Sequence, residues 1–412
     1  MRAHRRTVLI AQRRPVQLER VALAAGQQPQ APHRTVRLCP RLPVGIAQGQ
    51  IFRIILPYAI HQQRMAVAMR HGIPDRVPVM CQLALGHYFL HAGLDAVDVW
   101  HDGEVFAEAL LRLQRRYGFD GILVNLPGRD PEWRRHVERV ESAGCDRRVV
   151  WRNGRVTIAP PDDNPHVFEP DRRTRARPRL EDLDPGRLLY LEPHDLRGLA
   201  WEWEAFPAWH WDTLRRVRER APDVSLQGEV FSPFSQLCEA VGVEETLVAL
   251  RSDPGRVRAC LEALCAGTVD LAAGHVAAGA DAVLVSSAYA GGGLISTRHY
   301  REFVLPFEAR VVSGFQARCP GTPVYTHTCG RIGDRLELLE ETGTDGIDTL
   351  DPPPLGDVDL AEAKERVGGR LFLKGNVDPV ATVLLGTPDA VRADALRRVA
   401  IGGRGGGYVL ST

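Results

Sequence analysis

The stretch Pro323-Val324-Tyr325-Thr326-His327-Thr328-Cys329-Gly330 contains an apolar run, a polar end and a glycine, and a helical pattern over residues 334–341 follows it. The glycine allows the tight backbone turn that leads from a strand into a helix. A second strand-like run, residues 346–350, comes after the helical pattern. A strand, a helix and another strand in this order predict a parallel sheet, because parallel neighbours need a crossover connection.

The same alternation extends in both directions along the chain. Apolar runs predict eight strands, near residues 75–80, 121–125, 224–230, 281–286, 322–327, 346–350, 371–376 and 407–411. Helical patterns separate the last six of these runs from one another. Alternating strands and helices predict an α/β fold, and eight such units predict a closed (β/α)8 barrel of the TIM type. Such barrels carry their chemistry at the C-terminal ends of the strands.

One segment departs from this alternation. Asn153-Gly154 separates the strand-like runs 149–152 and 155–158, and Asn-Gly favours the two-residue turn of a β-hairpin. We therefore expect a hairpin over residues 147–158 that protrudes from the barrel as an insertion. The segment 159–187, rich in Pro, Asp and Arg, is expected to be a long irregular excursion.

Residues 1–63 differ in composition from the rest of the chain. They hold ten arginines against one acid, Glu19, whereas the whole chain carries a net charge of +1. Their apolar residues follow neither helical nor strand periodicity over a useful length. We expect a basic, poorly ordered N-terminal extension followed by one barrel domain at residues 64–412. A basic arm for RNA and a transit peptide are the weaker alternatives, the latter because no serine precedes Ser142.

The overall composition excludes several classes of protein. With 412 residues, 44% of them hydrophobic and 25% charged, the chain can bury a large core. Eight cysteines without a C-x-x-C pair do not predict a disulfide framework, so a reduced cytoplasm is the expected location. The near-neutral net charge gives no reason to expect nucleic acid as a partner. No membrane partner is expected either, because no apolar run approaches the roughly 20 residues of a membrane span.

His327 and Cys329 are the candidate metal ligands. Residues two apart in a strand project to the same face, so both side chains would point beyond the C-terminal end of the fifth strand. An imidazole and a thiolate in this arrangement suit Zn²⁺, which binds them at about 2.0 and 2.3 Å. The alternative is a hydrogen-bonded core histidine beside an inert buried cysteine. Cys319 precedes the strand and would lie at the wrong end of the barrel.

Seven further segments resemble the uroporphyrinogen decarboxylase superfamily in their order and spacing. They are DRVPV at 75–79, GADAV at 279–283, YAG at 289–291, FVLPF at 303–307, EETGTDG at 340–346, VDLAEAK at 358–364 and LKGNVDP at 373–379. The similarity runs from about Arg64 to Thr412. It implies a distorted (β/α)8 barrel, in agreement with the strand count.

One interpretation is that the chain resembles the decarboxylase branch of this superfamily. Its members bind a tetrapyrrole with several carboxylates, which implies arginines near the first strand and a catalytic Asp before the second. Asp120 after Phe119 matches that Asp, but residues 81–88 contain no arginine. Ser287-Ala288 also stands where decarboxylases carry Asp-Ser. Decarboxylation of a tetrapyrrole, as in porphyrin biosynthesis, is therefore the alternative function.

The other branch comprises zinc methyltransferases that move a methyl group from a corrinoid protein to a thiol or another acceptor. Their signature is His-x-Cys with a second Cys just past the last strand. His327-Thr328-Cys329 resembles the first half, and residues 406–412 resemble the segment that leads to the second. We expect the chain to be truncated, with the third zinc ligand just past Thr412. Glu229 and Asp378, at the ends of other strands, are the candidate substitutes.

The resemblance thus implies a zinc-dependent methyltransferase that takes its methyl group from methylcobalamin, a corrinoid, on a carrier protein and delivers it to a small-molecule acceptor. The candidate catalytic residues are Asp120 and Glu229, and the candidate corrinoid-binding residues are Tyr289 and Asn376. We expect Asn125 to line the same cavity. An inactive paralogue that only binds a corrinoid is the second alternative.

Overall fold

Parallel strands form the centre of the protein. The structure is a computed structural model, and it describes residues 60–171, 177–191 and 205–412. In these ranges the strands are β1 (Gly121–Val124), β2 (Val137–Ala143), β3 (Asp146–Trp151), β4 (Val156–Ala159), β5 (His166–Phe168), β6 (Ser225–Phe231), β7 (Ala282–Ser286), β8 (Val324–His327), β9 (Gly346–Thr349), β10 (Phe372–Asn376) and β11 (Tyr408–Ser411). One parallel sheet has the order β1-β6-β7-β8-β9-β10-β11, and an antiparallel sheet has the order β2-β3-β4-β5.

Val79 links the first and last strands of the parallel sheet. On one side, Met80 N donates to Leu410 O at 3.0 Å, beside a parallel bridge between Val79 and Leu410. On the other side, Asp120 N donates to Val79 O at 2.8 Å. Residues 78–80 therefore act as the eighth strand. The prediction of a distorted (β/α)8 barrel with a β insertion is confirmed.

Helices surround the barrel and connect its strands. In the described ranges they are α1 (Ile60–Met69), α2 (Leu85–His91), α3 (Ala96–His101), α4 (Gly103–Tyr117), α5 (Asp212–Arg220), α6 (Pro233–Val241), α7 (Val243–Ser252), α8 (Pro254–Ala277), α9 (Thr297–Phe303), α10 (Leu305–Arg318), α11 (Leu336–Glu341), α12 (Leu360–Arg366) and α13 (Pro388–Gly402). From β6 onward, each strand is followed by one or more of these helices before the next strand begins.

The limits of α4 show how local sequence sets an element. Asp102 begins the helix, because its carboxylate accepts a hydrogen bond from Glu104 N at 2.9 Å. Gly118 ends it with a left-handed backbone, at a φ of 66°. Between these caps, Phe106 and Leu110 lie four residues apart on the buried face. The helix therefore packs against the barrel through one apolar stripe.

The helix α1 closes the N-terminal end of the barrel. Met65 and Ala68 are fully buried and belong to the same apolar cluster as Leu123, Tyr325 and Phe372, which are residues of the barrel strands. The N-terminal end of the barrel is therefore filled by apolar side chains. Polar chemistry is left to the opposite end.

The start of α1 revises the predicted domain boundary. The helix begins at Ile60, before the expected domain start at residue 64. Gln62 Nε2 also donates to Asp281 Oδ1 at 2.6 Å. Residues 60–63 therefore belong to the barrel, because their side chains and backbone bond to it. The remainder of the predicted extension, residues 1–59, lies outside the described residues.

The predicted hairpin is present and belongs to the antiparallel sheet. Strands β3 and β4 pair in antiparallel register, and Trp151 N donates to Arg155 O at 2.9 Å across the turn. Gly154 has a φ of 86°, which glycine adopts without steric cost. Two further strands, β2 and β5, extend this hairpin on either side. The insertion is thus larger than the sequence indicated.

The longest helix, α8, is long and apolar enough to cross a membrane by length and composition alone, with a mean hydropathy of 1.2. This hydropathy value describes an 18-residue window of the helix, and 56% of that window is buried within the protein. Its residues Leu261 and Leu264 belong to the main apolar core. The helix therefore packs as a core helix of the barrel.

Candidate functional site

The site is built on a row of residues across three neighbouring strands. The strand registers place His327 of β8 beside Asp348 of β9, and Asp348 beside Lys374 of β10. Residues paired in register lie on the same face of the sheet. All three side chains are buried. His327 Nδ1 lies 3.4 Å from Asp348 Oδ2, and Lys374 Nζ donates to both oxygens of Asp348 at 2.8 Å.

The buried ion pair sets the charge state of this row. Burial by itself would raise the pKa of Asp348, but the positive charge of Lys374 and a hydrogen bond with His327 hold that pKa at about 2. Burial would likewise lower the pKa of His327, but hydrogen bonds with Asp348 and Cys329 raise it to about 10. Asp348 is therefore a fixed carboxylate behind the imidazole, an arrangement that orients metal-binding histidines and increases their basicity.

Cys329 lies on the other side of the same imidazole. Its Sγ is 3.2 Å from His327 Nε2, and the residue is exposed just past the C-terminal end of β8. The two ring nitrogens of His327 thus have different neighbours, a carboxylate at Nδ1 and a thiol at Nε2. The structure brings together the nitrogen and sulfur donors that the sequence singled out.

Neighbouring loops fix the backbone around Cys329. Gly330 N donates to Asp351 Oδ2 at 2.6 Å, which ties this loop to the segment after β9. Gly291, in the loop after β7, approaches the Cys329 carbonyl so closely that an added Cβ would collide with that oxygen. The position of the thiol is therefore set by the packing of three loops, in addition to the direction of β8.

The donor set fits part of a zinc site. An imidazole nitrogen and a thiol sulfur that face each other are two of the ligands that Zn²⁺ prefers, and catalytic sites use three protein ligands. Asp348 does not supply the third, because both of its oxygens accept hydrogen bonds from Lys374. Within the described ranges, no group of three or more His, Cys, Asp or Glu side chains is placed to hold a metal ion. The described residues therefore fit two of the three ligands.

Glu229 lies near the end of β6 and is partly accessible. Burial raises its pKa to about 7, although the charge of His327 opposes the rise. With Asn125 it lines a narrow cavity of about 10 Å³, whose described lining includes neither His327 nor Asn376. A carboxyl group with such a pKa can give or accept a proton near neutral pH. Glu229 is thus a candidate acid or base beside the site.

The polar groups of three other predicted site residues form hydrogen bonds with residues other than His327. Asn376 Nδ2 donates to Leu350 O at 2.8 Å, Tyr289 donates to Glu239, and Asp378 Oδ1 accepts from Val380 N and Ala381 N at 2.7 Å. The Asp378 contacts cap the turn that follows it. Binding of a corrinoid by Tyr289 or Asn376, or of a metal by Asp378, would require these bonds to be exchanged.

Asp120 lies at the end of the barrel opposite to His327. It precedes β1, and its buried carboxylate accepts hydrogen bonds from Arg76 at 2.8 Å on each oxygen. Burial would raise its pKa, but the Val79 amide, His61 and Arg76 lower it below the usual range. The interpretation of Asp120 as a catalytic residue is therefore corrected. It anchors the N-terminal segment to the barrel, because its position and its occupied oxygens exclude it from the site.

Sequence reasoning missed Asp348 and Lys374. The signal was present, because each is a charged residue within an otherwise mainly apolar strand run. A single buried charge costs roughly several kcal/mol unless it is paired. Two opposite charges on adjacent strands therefore indicate a buried pair, but only the register shows that they are neighbours and that His327 lies next to them.

A closed (β/α)8 barrel with ionisable side chains gathered at the C-terminal ends of its strands is the architecture of barrel enzymes. A model of the family described as uroporphyrinogen decarboxylase (URO-D) matches residues 196–412, slightly more than half of the chain. The chain belongs to this family.

Curated relatives match this chain over part of their length. The chain is 32% identical over 205 residues to the uroporphyrinogen decarboxylase of Psychromonas ingrahamii, which covers 48% of the chain and 55% of the relative. It is also 32% identical over 247 residues to that of Ralstonia nicotianae, with coverages of 57% and 64%. The chain thus spans between about half and two thirds of the length of these two relatives.

A solved structure supports the fold. A methyltransferase from Methanosarcina mazei superposes with a TM-score of 0.61 and 19% sequence identity, over 85% of this chain and 92% of that chain. At this level of identity, the similarity establishes the shared barrel architecture alone.

Proposed function

We propose that the protein is a zinc-dependent methyltransferase that moves a methyl group from methylcobalamin on a corrinoid carrier protein to a small-molecule thiol or similar acceptor. The observation that carries this proposal is the pair of His327 Nε2 and Cys329 Sγ, which face each other at 3.2 Å at the end of β8. The expected location is the cytoplasm, where thiols stay reduced.

The residues of the chain would hold and orient the ion. His327 and Cys329 would be its ligands, and the Asp348 carboxylate would keep the imidazole turned so that Nε2 faces the open side. Lys374 in turn holds Asp348 as an anion, since it pairs with both oxygens. Zinc, when bound, supplies a positive charge that favours the thiolate form of a coordinated thiol near neutral pH.

The transfer itself requires alignment of two substrates. In the proposed transfer the acceptor sulfur would form a bond with the methyl carbon while the cobalt–carbon bond of the methylcobalamin substrate would break, with the electron pair of that bond left on cobalt. The exposed position of Cys329 supports access of an acceptor and of a carrier protein to the end of β8. Glu229, with a pKa raised to about 7 mainly by burial, is the candidate to take the proton that the acceptor thiol loses.

A second candidate function is decarboxylation of a tetrapyrrole. It is favoured by the curated relatives, which carry the name uroporphyrinogen decarboxylase at 32% identity. The placement of Asp120 argues against it, because the carboxylate that the family resemblance assigned to catalysis lies at the N-terminal end of the barrel and is held by Arg76. A paralogue that only binds a corrinoid is the third candidate.

The deciding experiment measures zinc binding by purified protein. We expect His327→Ala and Cys329→Ser each to lower zinc affinity at least tenfold, because each variant removes one of the two described donors. Cys319→Ser is the matched control, since Cys319 follows α10 at the other end of β8 and should leave binding unchanged.

Activity assays then separate the candidates. Zinc-dependent release of the methyl group from methylcobalamin to a thiol supports the methyltransferase. Equal zinc affinity in the wild type and in Cys329→Ser would contradict it. Decarboxylation of uroporphyrinogen by protein treated with a chelator would place the second candidate first.

A further inference from the structure

A cavity of about 520 Å³ lies between the antiparallel sheet, α3 and the loop that follows β1. It is lined by Trp100, Trp133, Trp151, Trp209, Arg152 and Arg155, and we call it the tryptophan cavity. Apart from Trp209, these residues precede the segment 196–412 that the family model matches, so most of these walls lie outside the matched segment. Pockets of about 300–1,000 Å³ commonly hold small organic ligands.

Contacts within the protein hold the aromatic walls in place. Trp151 Nε1 donates to Thr157 Oγ1 at 2.8 Å, which restrains the plane of the indole. His101 lies with its ring centroid 5.0 Å from Trp133, in a stacked arrangement, and 5.0 Å from Trp151, edge to face. The rings of His101, Trp133 and Trp151 therefore form one continuous aromatic surface. Flat apolar surfaces of this kind favour a planar aromatic ligand.

The charged part of the described lining is mainly cationic. Its charged residues are Arg129, Arg152, Arg155 and Asp130. Arg152 donates through Nε to Arg135 O at 3.0 Å, and Arg155 donates through Nε to Glu169 Oε2 at 3.1 Å. In the part of the chain that the structure describes, the Nη atoms of these two arginines form no hydrogen bond. A guanidinium held through Nε can present its Nη atoms to a carboxylate.

We propose that the tryptophan cavity binds a small aromatic carboxylate, with its one or two fused rings against the indoles and its carboxylate against Arg152 and Arg155. The excess of arginine disfavours a quaternary ammonium ion, which is the usual ligand of aromatic cages. This site is separate from the proposed zinc and corrinoid chemistry, because it involves neither His327 nor Cys329. Its test therefore needs neither a metal nor methylcobalamin.

The experiment uses 2-naphthoate as the probe, titrated into the full chain without added metal and followed by calorimetry and by tryptophan fluorescence. Two analogues keep the ring system and change the charge, namely neutral 2-naphthamide and a naphthyl trimethylammonium cation. We expect the carboxylate to bind at least tenfold more tightly than the amide, and the cation to bind more weakly than both, because the arginines favour an anion.

Variants assign the binding to the cavity. Arg152→Gln and Trp151→Ala should each raise the Kd for 2-naphthoate about tenfold or more, since they remove a charge-assisted hydrogen bond and a ring surface. Arg147→Gln removes the same charge from β3, the strand that ends just before Arg152, but outside the described lining of the cavity, and should leave the Kd unchanged. Because Arg152 is exposed, its variant should fold normally.

Three results would overturn the proposal. One is the absence of 2-naphthoate binding up to the solubility limit of the probe. Another is an equal Kd in the wild type and in both the Arg152→Gln and Trp151→Ala proteins. The third is a cation that binds as tightly as the carboxylate.

Discussion

The pKa values of two buried carboxyl groups, Asp348 and Glu308, are shifted in opposite directions because of the partners that surround them. Burial by itself would raise the pKa of both groups, but the full positive charge of Lys374 and a hydrogen bond with His327 hold the pKa of Asp348 at about 2. Glu308 on α10 accepts instead from the hydroxyl groups of Ser287 and Tyr300. Burial raises its pKa to about 7, because two hydroxyl dipoles offset the loss of hydration less than a cation does.

This difference predicts how stability depends on pH. The folded-state pKa of Glu308 lies above its usual value of 4.5, so its stabilising contribution is complete below pH 4.5 and is lost as the pH rises through about 7. The difference between the two pKa values corresponds to about 3 kcal/mol at most. Glu308→Gln keeps a hydrogen-bonding side chain that does not ionise.

Urea unfolding at several pH values measures this effect. We expect the free energy of unfolding of the wild type to fall, relative to Glu308→Gln, between about pH 4.5 and 7. Parallel stability curves for the two proteins over this range would show that Glu308 keeps its ordinary pKa in the folded protein.

At the scale of elements, the loops at the ends of β7, β8 and β9 determine where the Cys329 thiol lies. The strand directs His327, but Cys329 follows the strand and its position depends on the neighbouring backbone. Gly291 packs directly on the Cys329 carbonyl, whereas nothing lies within 4 Å of the position that a Cβ would take at Gly293. Two glycines of one loop therefore differ in whether a methyl group can be accommodated.

This contrast predicts different effects of two similar substitutions. Gly291→Ala should displace the Cys329 loop, lower stability by about 1–3 kcal/mol and weaken zinc binding, because the collision is with backbone. Gly293→Ala, on the same loop, should change neither quantity. Thermal unfolding and zinc affinity, measured on both variants, provide the test. Unchanged zinc affinity in Gly291→Ala would mean that this loop does not position the thiol.

At the scale of the whole molecule, the barrel depends on α1 at its N-terminal end. Met65 is fully buried among side chains from the barrel strands, whereas Ile60, on the same helix, is 45% exposed. Removal of a buried Met side chain leaves a cavity that a closed barrel cannot fill by local collapse. The helix therefore contributes to the stability of the barrel as a whole.

A buried and an exposed side chain of α1 should therefore respond differently to replacement by alanine. Met65→Ala should lower the free energy of unfolding by about 2–5 kcal/mol. Ile60→Ala should change it by less than about 1 kcal/mol, because most surface substitutions have small effects. Denaturant titrations of the two variants measure both values. Equal effects of the two substitutions would indicate that Met65 of α1 is not packed against the barrel strands in solution.

Much of the barrel was predictable because parallel strands buried on both faces produce apolar runs at regular intervals. The hairpin was predictable as well, since Asn153-Gly154 specifies a turn through local sterics alone. The start of the domain was placed a few residues late, because α1 carries two glutamines and an arginine among its apolar residues and shows little amphipathic pattern. The strands β2 and β5 were missed because half-exposed polar residues give them weak apolar alternation.

The sequence by itself determined the alternation of strands and helices and the local motif that places His327 and Cys329 two residues apart at a strand end. These are properties of neighbouring residues, which backbone geometry converts directly into direction and spacing. Only the tertiary structure decided that Asp348 and Lys374 lie behind His327, that Asp120 lies at the opposite end, and that four tryptophans border one cavity. These facts depend on strand register and barrel closure, which bring together residues far apart in the chain, and no local pattern encodes such distances.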